Sequence, residues 1–128
     1  MKKIKEQIQS AVDIYKSGDL SKAELLTKKL INDNPKVVFL YNLLGLILVA
    51  QKRIDQAMKW YEKGIKIDPS FGMIYNNIGL IFFKDRTTDS IKKAENFYKK
   101  AISLDKKIPE PQNNLGNLYN YVDKVKEA

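Results

Sequence analysis

Two stretches of this 128-residue chain superimpose when one is slid 34 positions along the other. Tyr41, Leu44, Gly45, Leu46 and Ile47 return as Tyr75, Ile78, Gly79, Leu80 and Ile81, and Pro35 returns as Pro69. Behind them, Ala57 and Tyr61 are matched by Ala94 and Tyr98. A self-similar period of about 34 residues marks a stack of helical units, each with an apolar face that only a neighbour can cover. Function is then sought on the surface that the stack creates, because no single unit carries chemistry.

Apolar residues recur at helical spacing almost throughout. Ile4, Ile8, Ala11, Val12 and Tyr15 predict a first helix, closed by Ser17-Gly18-Asp19. Leu20, Ala23, Leu26, Leu30 and Ile31 predict a second, with Asp19 as its N-cap. Pro35 interrupts, since the residue before a proline avoids helical dihedrals. A third helix is expected over about 36–50, and a fourth carries Ile54, Ala57, Met58, Tyr61 and Ile65 as far as Asp68-Pro69. The fifth and sixth are expected over about 71–84 and 89–104, and a seventh starts near Pro109 with Leu115, Leu118 and Tyr119. Alternating β-branched runs and Asn-Gly or Asp-Gly turns are missing, so the chain reads as all-α and as a single domain.

Composition removes several functions. Cysteine and histidine are both absent, which takes away disulfides, thiolate chemistry and the commonest general base and metal ligand. No cofactor or metal set is recognisable, and no glycine-rich phosphate loop or paired catalytic carboxylates stand out, so an enzyme is not expected. The longest apolar run, Leu43 to Ala50, is far short of the roughly 18 residues of a membrane span. The basic start resembles the opening of a secretory signal, but Glu6, Gln7, Gln9 and Asp13 break up the apolar core it would need; a cytoplasmic location is expected. A net charge of +8 invites nucleic acid, yet Arg53 and Arg86 are the only arginines, and bidentate phosphate recognition favours arginine over lysine. Nucleic acid is therefore disfavoured.

The repeated set resembles the tetratricopeptide repeat. The second unit, 38–71, is the fullest match, with Tyr41, Leu44, Gly45, Leu48, Ala57, Tyr61, Gly64 and Pro69. The third, 72–108, supplies Tyr75, Ile78, Gly79, Phe82, Ala94, Tyr98 and Ala101; the first, 4–37, keeps Ala11, Ile14, Gly18, Ala23, Leu30 and Pro35. A partial unit over 109–128 holds Leu115, Gly116 and Tyr119. The resemblance implies a right-handed α-solenoid of helix-turn-helix repeats: three units plus a seventh helix that either caps the stack or opens a truncated repeat. On this reading the chain ends some six residues into a further helix and is cut from something longer. Gly45, Gly79 and Gly116, with Ala11 in the first unit, are expected where the two helices of a unit cross, faced by Ala57 and Ala94. Tyr61 and Tyr98 are expected against the first helix of the next unit. Three extra residues between Lys84 and Ile91 form either a tolerated loop or an added turn on the fifth helix.

In this family the first helix of each unit lines a concave groove that takes extended peptides or helices. The resemblance places Ile8, Val12 and Tyr15 there from the first unit and Phe39, Asn42, Leu46 and Val49 from the second. It adds Met73, Asn76, Asn77, Leu80 and Phe83 from the third and Asn113, Asn114 and Asn117 from the fourth, with Glu110 and Tyr121 alongside. The first half is apolar and reads either as packing between units or as a patch seeking an apolar partner. The amides resemble the asparagine ladder of sugar-transferring family members, or are solvated helix face. Members that grip acidic chaperone tails use basic and asparagine residues where this chain has Ile8, Val12, Met73 and Asn77, so that carboxylate clamp is absent. Paired lysines on second helices, such as Lys28-Lys29 and Lys92-Lys93, read as wet convex surface. The expected function is a non-catalytic module that binds a protein or peptide in its groove. The alternatives are an N-terminal recognition arm of a larger bacterial glycosyltransferase or sulfotransferase, and a self-assembling scaffold.

Overall fold

A computed structural model describes residues 2–127, and these form seven α-helices without a strand. They are α1 (Lys2–Ser17), α2 (Leu20–Asp33), α3 (Val38–Ala50), α4 (Ile54–Ile67), α5 (Gly72–Lys84), α6 (Thr88–Leu104) and α7 (Pro109–Glu127). The chain is an all-α helical repeat, and it divides into two compact units, Met1–Pro69 and Ser70–Ala128. The division falls at the proline that closes the second repeat.

In the first unit α1 pairs with α2, α3 packs on both, and α4 pairs with α3. The core is Ala11, Ala23, Leu30, Leu40, Leu44, Ile47, Leu48, Ala57 and Tyr61. Helix α3 is apolar nearly all round and buries eight of its residues, as a helix enclosed on several sides must. Tyr41 donates its hydroxyl to the Pro35 carbonyl at 2.6 Å and its ring meets Trp60 at 5.9 Å, which ties the loop before α3 to α4. Helix α2 begins at Asp19 as expected, whose carboxylate accepts from the Lys22 N–H at 3.2 Å.

The second unit repeats the plan with α5, α6 and α7. Ala94, Tyr98 and Leu118 form its buried cluster, with Phe82, Phe83, Ile91, Leu115 and Val122 packed around it.

The turns inside the helix pairs keep the 34-residue period. Gly18, Lys52 and Arg86 are equally spaced, and all three have left-handed backbones, with φ of 93°, 64° and 59°. After α3 the Arg53 N–H reaches the Leu48 carbonyl and the Lys52 N–H reaches that of Val49, both at 2.9 Å, closing the helix with a left-handed residue. Glycine fills this place at no cost in the first pair; lysine and arginine fill it at about 1–2 kcal/mol each.

Several expectations are corrected. The three extra residues of the third repeat make neither a loop nor an added turn on α5, which ends at Lys84. The connection from α5 to α6 is three residues, as it is from α3 to α4, and the insertion lengthens α6 at its start to 17 residues against 14 in α4. Thr87 and Ser90 form a capping box, each side chain accepting from the other's backbone N–H at 3.0 Å, and this moves the start of the helix back. Residues 122–127 do not open a further helix but continue α7 to Glu127. The ring of Tyr61 lies directly on Gly45, and a Cβ at Gly79 would stand 2.6 Å from the ring of Tyr98. Each tyrosine thus covers the glycine of its own repeat, and it is the ring rather than Ala57 or Ala94 that requires glycine there; Tyr98 also reaches the next repeat through Leu118. Gly116, expected at a third crossing, has nothing within 4 Å of a Cβ. In the first repeat the pair is Ala11 with Thr27, both fully buried, a larger residue on one helix matched by a smaller one on the other.

Candidate functional site

The residues expected to line a partner surface fall on α1 and α3 of the first unit and on α5 and α7 of the second. On α1, Ile8, Val12 and Tyr15 are half-buried at spacings that place them on one stripe. On α3, Phe39 is exposed, Leu46 and Val49 are half-buried, and Asn42 is buried. On α5, Leu80 is 43% exposed, Met73 and Phe83 are half-buried, and Asn76 and Asn77 are buried. On α7, Asn113 and Asn117 are exposed and Asn114 is half-buried.

The second unit brings three of the amides into contact. Asn114 donates from its side-chain nitrogen to Oδ1 of Asn76 at 2.8 Å, and Asn76 donates in turn to Oδ1 of Asn77 at 3.2 Å. The chain links α5 to α7 and makes burial of Asn76 and Asn77 tolerable, because each meets a partner inside the protein. Asn113 and Asn117, one residue before and three after Asn114, keep their amides in solvent.

At the end of this face Phe83 and Tyr121 meet edge to face at 5.8 Å. Arg86 was not among the expected residues, yet its guanidinium lies 3.7 Å from the Phe83 ring centroid and 4.8 Å from that of Tyr121, and it donates to the Phe83 carbonyl. The signal available in the sequence was that Arg86 stands at the left-handed turn position, 34 residues after Lys52. That position aims its side chain back over the helix just ended.

Electrostatics single out few groups. Burial raises the Glu24 carboxyl, but hydrogen bonds from Lys28, Arg53 and Gln51 outweigh it and hold the group at about 2. Arg53 reaches Glu24 at 2.7 Å and so joins α2 to the start of α4. The Glu95 carboxyl is lowered chiefly by the Tyr119 hydroxyl, which donates to it at 2.6 Å, and by Lys99 at 3.1 Å. Burial pushes the Tyr98 hydroxyl up to about 12, against the opposing pull of the Arg86 charge, and raises that of Tyr61. The hydroxyls of Thr27, Tyr61 and Tyr98 occupy one repeat position and find no hydrogen-bond partner among the described residues. These are packing sites, closed to a ligand. The described residues hold no group of three or more acidic side chains suited to a metal ion, and none of the described helices is long and apolar enough to cross a membrane.

Comparison with known proteins agrees with this architecture. A TPR repeat family model matches residues 45–85, and a tetratricopeptide repeat model matches residues 73–108. The chain is 28% identical over 87 residues to the uncharacterized protein ycf37 of Pyropia yezoensis, covering 68% of this chain and 47% of that protein. It is 29% identical over 86 residues to ycf37 of Porphyra purpurea, covering 64% and 48%. The chain thus spans about half the length of the curated relatives it matches. Among solved structures it resembles the first TPR of Spaghetti (RPAP3) bound to the HSP90 peptide SRMEEVD, with a TM-score of 0.77 and 16% identity over 95% of this chain and 94% of that one. It also resembles the Sgt2 TPR domain from Aspergillus fumigatus, with a TM-score of 0.80 and 15% identity over 100% and 84%. At these identities the likeness is one of fold.

Proposed function

Since the chain belongs to the tetratricopeptide-repeat family, we propose that it is a non-catalytic protein-interaction module that holds a partner's peptide or helix against the first helices of its repeats. The observation that carries this reading is the amide chain Asn114–Asn76–Asn77 beside the exposed Leu80. The chain immobilises α5 against α7, so Asn113 and Asn117 are presented from a fixed helix. An asparagine amide offers a donor and an acceptor, and can therefore pair with the backbone of an extended ligand whatever its sequence. Leu80 supplies an apolar anchor in the second unit, and Phe39 supplies one in the first. The peptide-bound neighbour holds an HSP90 peptide, SRMEEVD, whereas the family resemblance puts Ile8, Val12, Met73 and Asn77 of this chain at the places of a carboxylate clamp. We therefore assign this face a partner recognised through backbone and apolar contacts rather than through a terminal carboxylate.

Site-specific photo-crosslinking tests the assignment. A benzophenone amino acid placed at Phe39 or Leu80 is expected to capture a discrete partner from a native lysate, and the same group at Leu25 on α2, which is equally apolar and 74% exposed, is not. Adding Asn113→Ala with Asn117→Ala should reduce capture at Leu80 while helicity by circular dichroism is unchanged. Equal capture from Leu25, or crosslinks only to a second copy of the chain, would overturn the reading.

A further inference from the structure

We propose that the cleft between α6 and α7 is a separate docking site, occupied by an acidic amphipathic helix of a partner protein. The cleft encloses about 360 Å³, and its apolar lining is Ile91, Leu118, Val122 and Val125. Val125 is 55% exposed although it stands one turn beyond Val122 and two beyond Leu118, which pack on the core of the unit. One end of each wall is an addition to the repeat: the first turn of α6 takes in the inserted residues, and the last turns of α7 run past the position where α1, α3 and α5 stop. No such pair of extensions exists on α3 and α4.

The rim decides the occupant. Arg86, Lys92 and Lys126 stand around the apolar strip, and the carboxylate on the rim, Glu95, is already engaged by Tyr119 at 2.6 Å and by Lys99 at 3.1 Å. The opening is therefore positive. Arg86 is the sharpest feature: its guanidinium is held against the rings of Phe83 and Tyr121 and by the Phe83 carbonyl, and it has no carboxylate partner among the described residues. A guanidinium already held in place loses little freedom on binding, and its remaining N–H groups can meet a carboxylate. A helix with apolar residues at every third or fourth position and carboxylates beside them satisfies strip and rim together. A second copy of this chain is poorly suited, because it carries a net charge of +8 and would bring lysines to a basic rim.

The test uses the full chain and a fluorescein-labelled helical peptide of about 14 residues, leucine at every third and fourth position and glutamate elsewhere. Fluorescence anisotropy in about 0.15 M salt is expected to show saturable binding. Val125→Asp is expected to weaken it about tenfold or more, and so is Arg86→Gly, which suits the positive φ. Lys29→Glu with Lys63→Glu, on the first unit, should leave it within about twofold, although it lowers the net charge more than Arg86→Gly does. Phe39→Asp with Leu80→Asp should also leave it intact, which separates this site from the face assigned above. A scrambled peptide of the same composition that binds equally well would overturn the proposal, as would unchanged binding by Val125→Asp and Arg86→Gly. So would a concentration-dependent dimer in sedimentation that Val125→Asp abolishes, since the cleft would then belong to a second copy.

Discussion

A single methyl group has opposite consequences at Gly79 and at Gly116. Both glycines lie in helix interiors, where glycine costs about 1 kcal/mol relative to alanine. At Gly79 that cost is outweighed by contact, because the ring of Tyr98 lies where a Cβ would go, and Tyr98 is fully buried with no room to retreat. Gly79→Ala should therefore lower stability by about 1–3 kcal/mol, the usual cost of overpacking a core. At Gly116 nothing stands within 4 Å, so Gly116→Ala should raise stability by about 0.5–1 kcal/mol. Urea unfolding of the two variants checks both signs together. A loss at Gly116 would mean that its open flank is covered in solution. The Ala11–Thr27 pair shows the compensation that the first repeat uses, with a methyl on one helix and a missing ring on the other.

Within the elements, the start of α6 at Thr88 falls within a residue of expectation, and what the sequence conceals is that the inserted stretch is spent on that helix. Apolar periodicity places Ile91, Ala94 and Tyr98 on the core face but says nothing about residues before Ile91, so the inserted stretch reads as a loop. Its fate depends on Thr87 and Ser90, a capping box with serine in place of the more familiar acidic or amide partner. Thr87→Ala removes the side chain that receives the Ser90 N–H and should cost about 1 kcal/mol. Amide hydrogen exchange should localise the effect, with faster exchange at Asp89, Ser90 and Ile91 and none at Tyr98. Uniform acceleration along α6 would show that the added turn is not an independent feature. Elsewhere periodicity suffices. The ends of α1, α4 and α5 lie within a residue or two of expectation because each is marked by a polar turn that recurs at a constant interval.

For the whole molecule, repeat architecture was legible because it is written redundantly, once per unit, whereas the surface features were written once. The contact of Asn114 with Asn76 joins residues 38 positions apart, and the placement of Arg86 between Phe83 and Tyr121 needs two helices in place before it exists. The same holds for Glu24, whose carboxylate joins α2 to Arg53 at the start of α4 and carries a pH dependence for the entire chain. Its folded pKa of about 2 lies below the ordinary glutamate value of 4.5, so its stabilisation is complete above about pH 4.5 and is lost as pH falls toward 2. Over the same range the formal net charge climbs from +8 toward +23 as the carboxylates protonate, and self-repulsion adds to the loss. Added salt relieves the repulsion but cannot restore a protonated Glu24. Glu24→Gln should thus cost about 2 kcal/mol at pH 7, the scale of hydrogen bonds to a charged group. Its deficit against the natural chain should shrink through pH 4 and 3 and vanish near pH 2, at low and at high salt alike. Urea midpoints of both proteins across that range measure the deficit directly, and two parallel curves would mean that Glu24 does not hold α2 to α4.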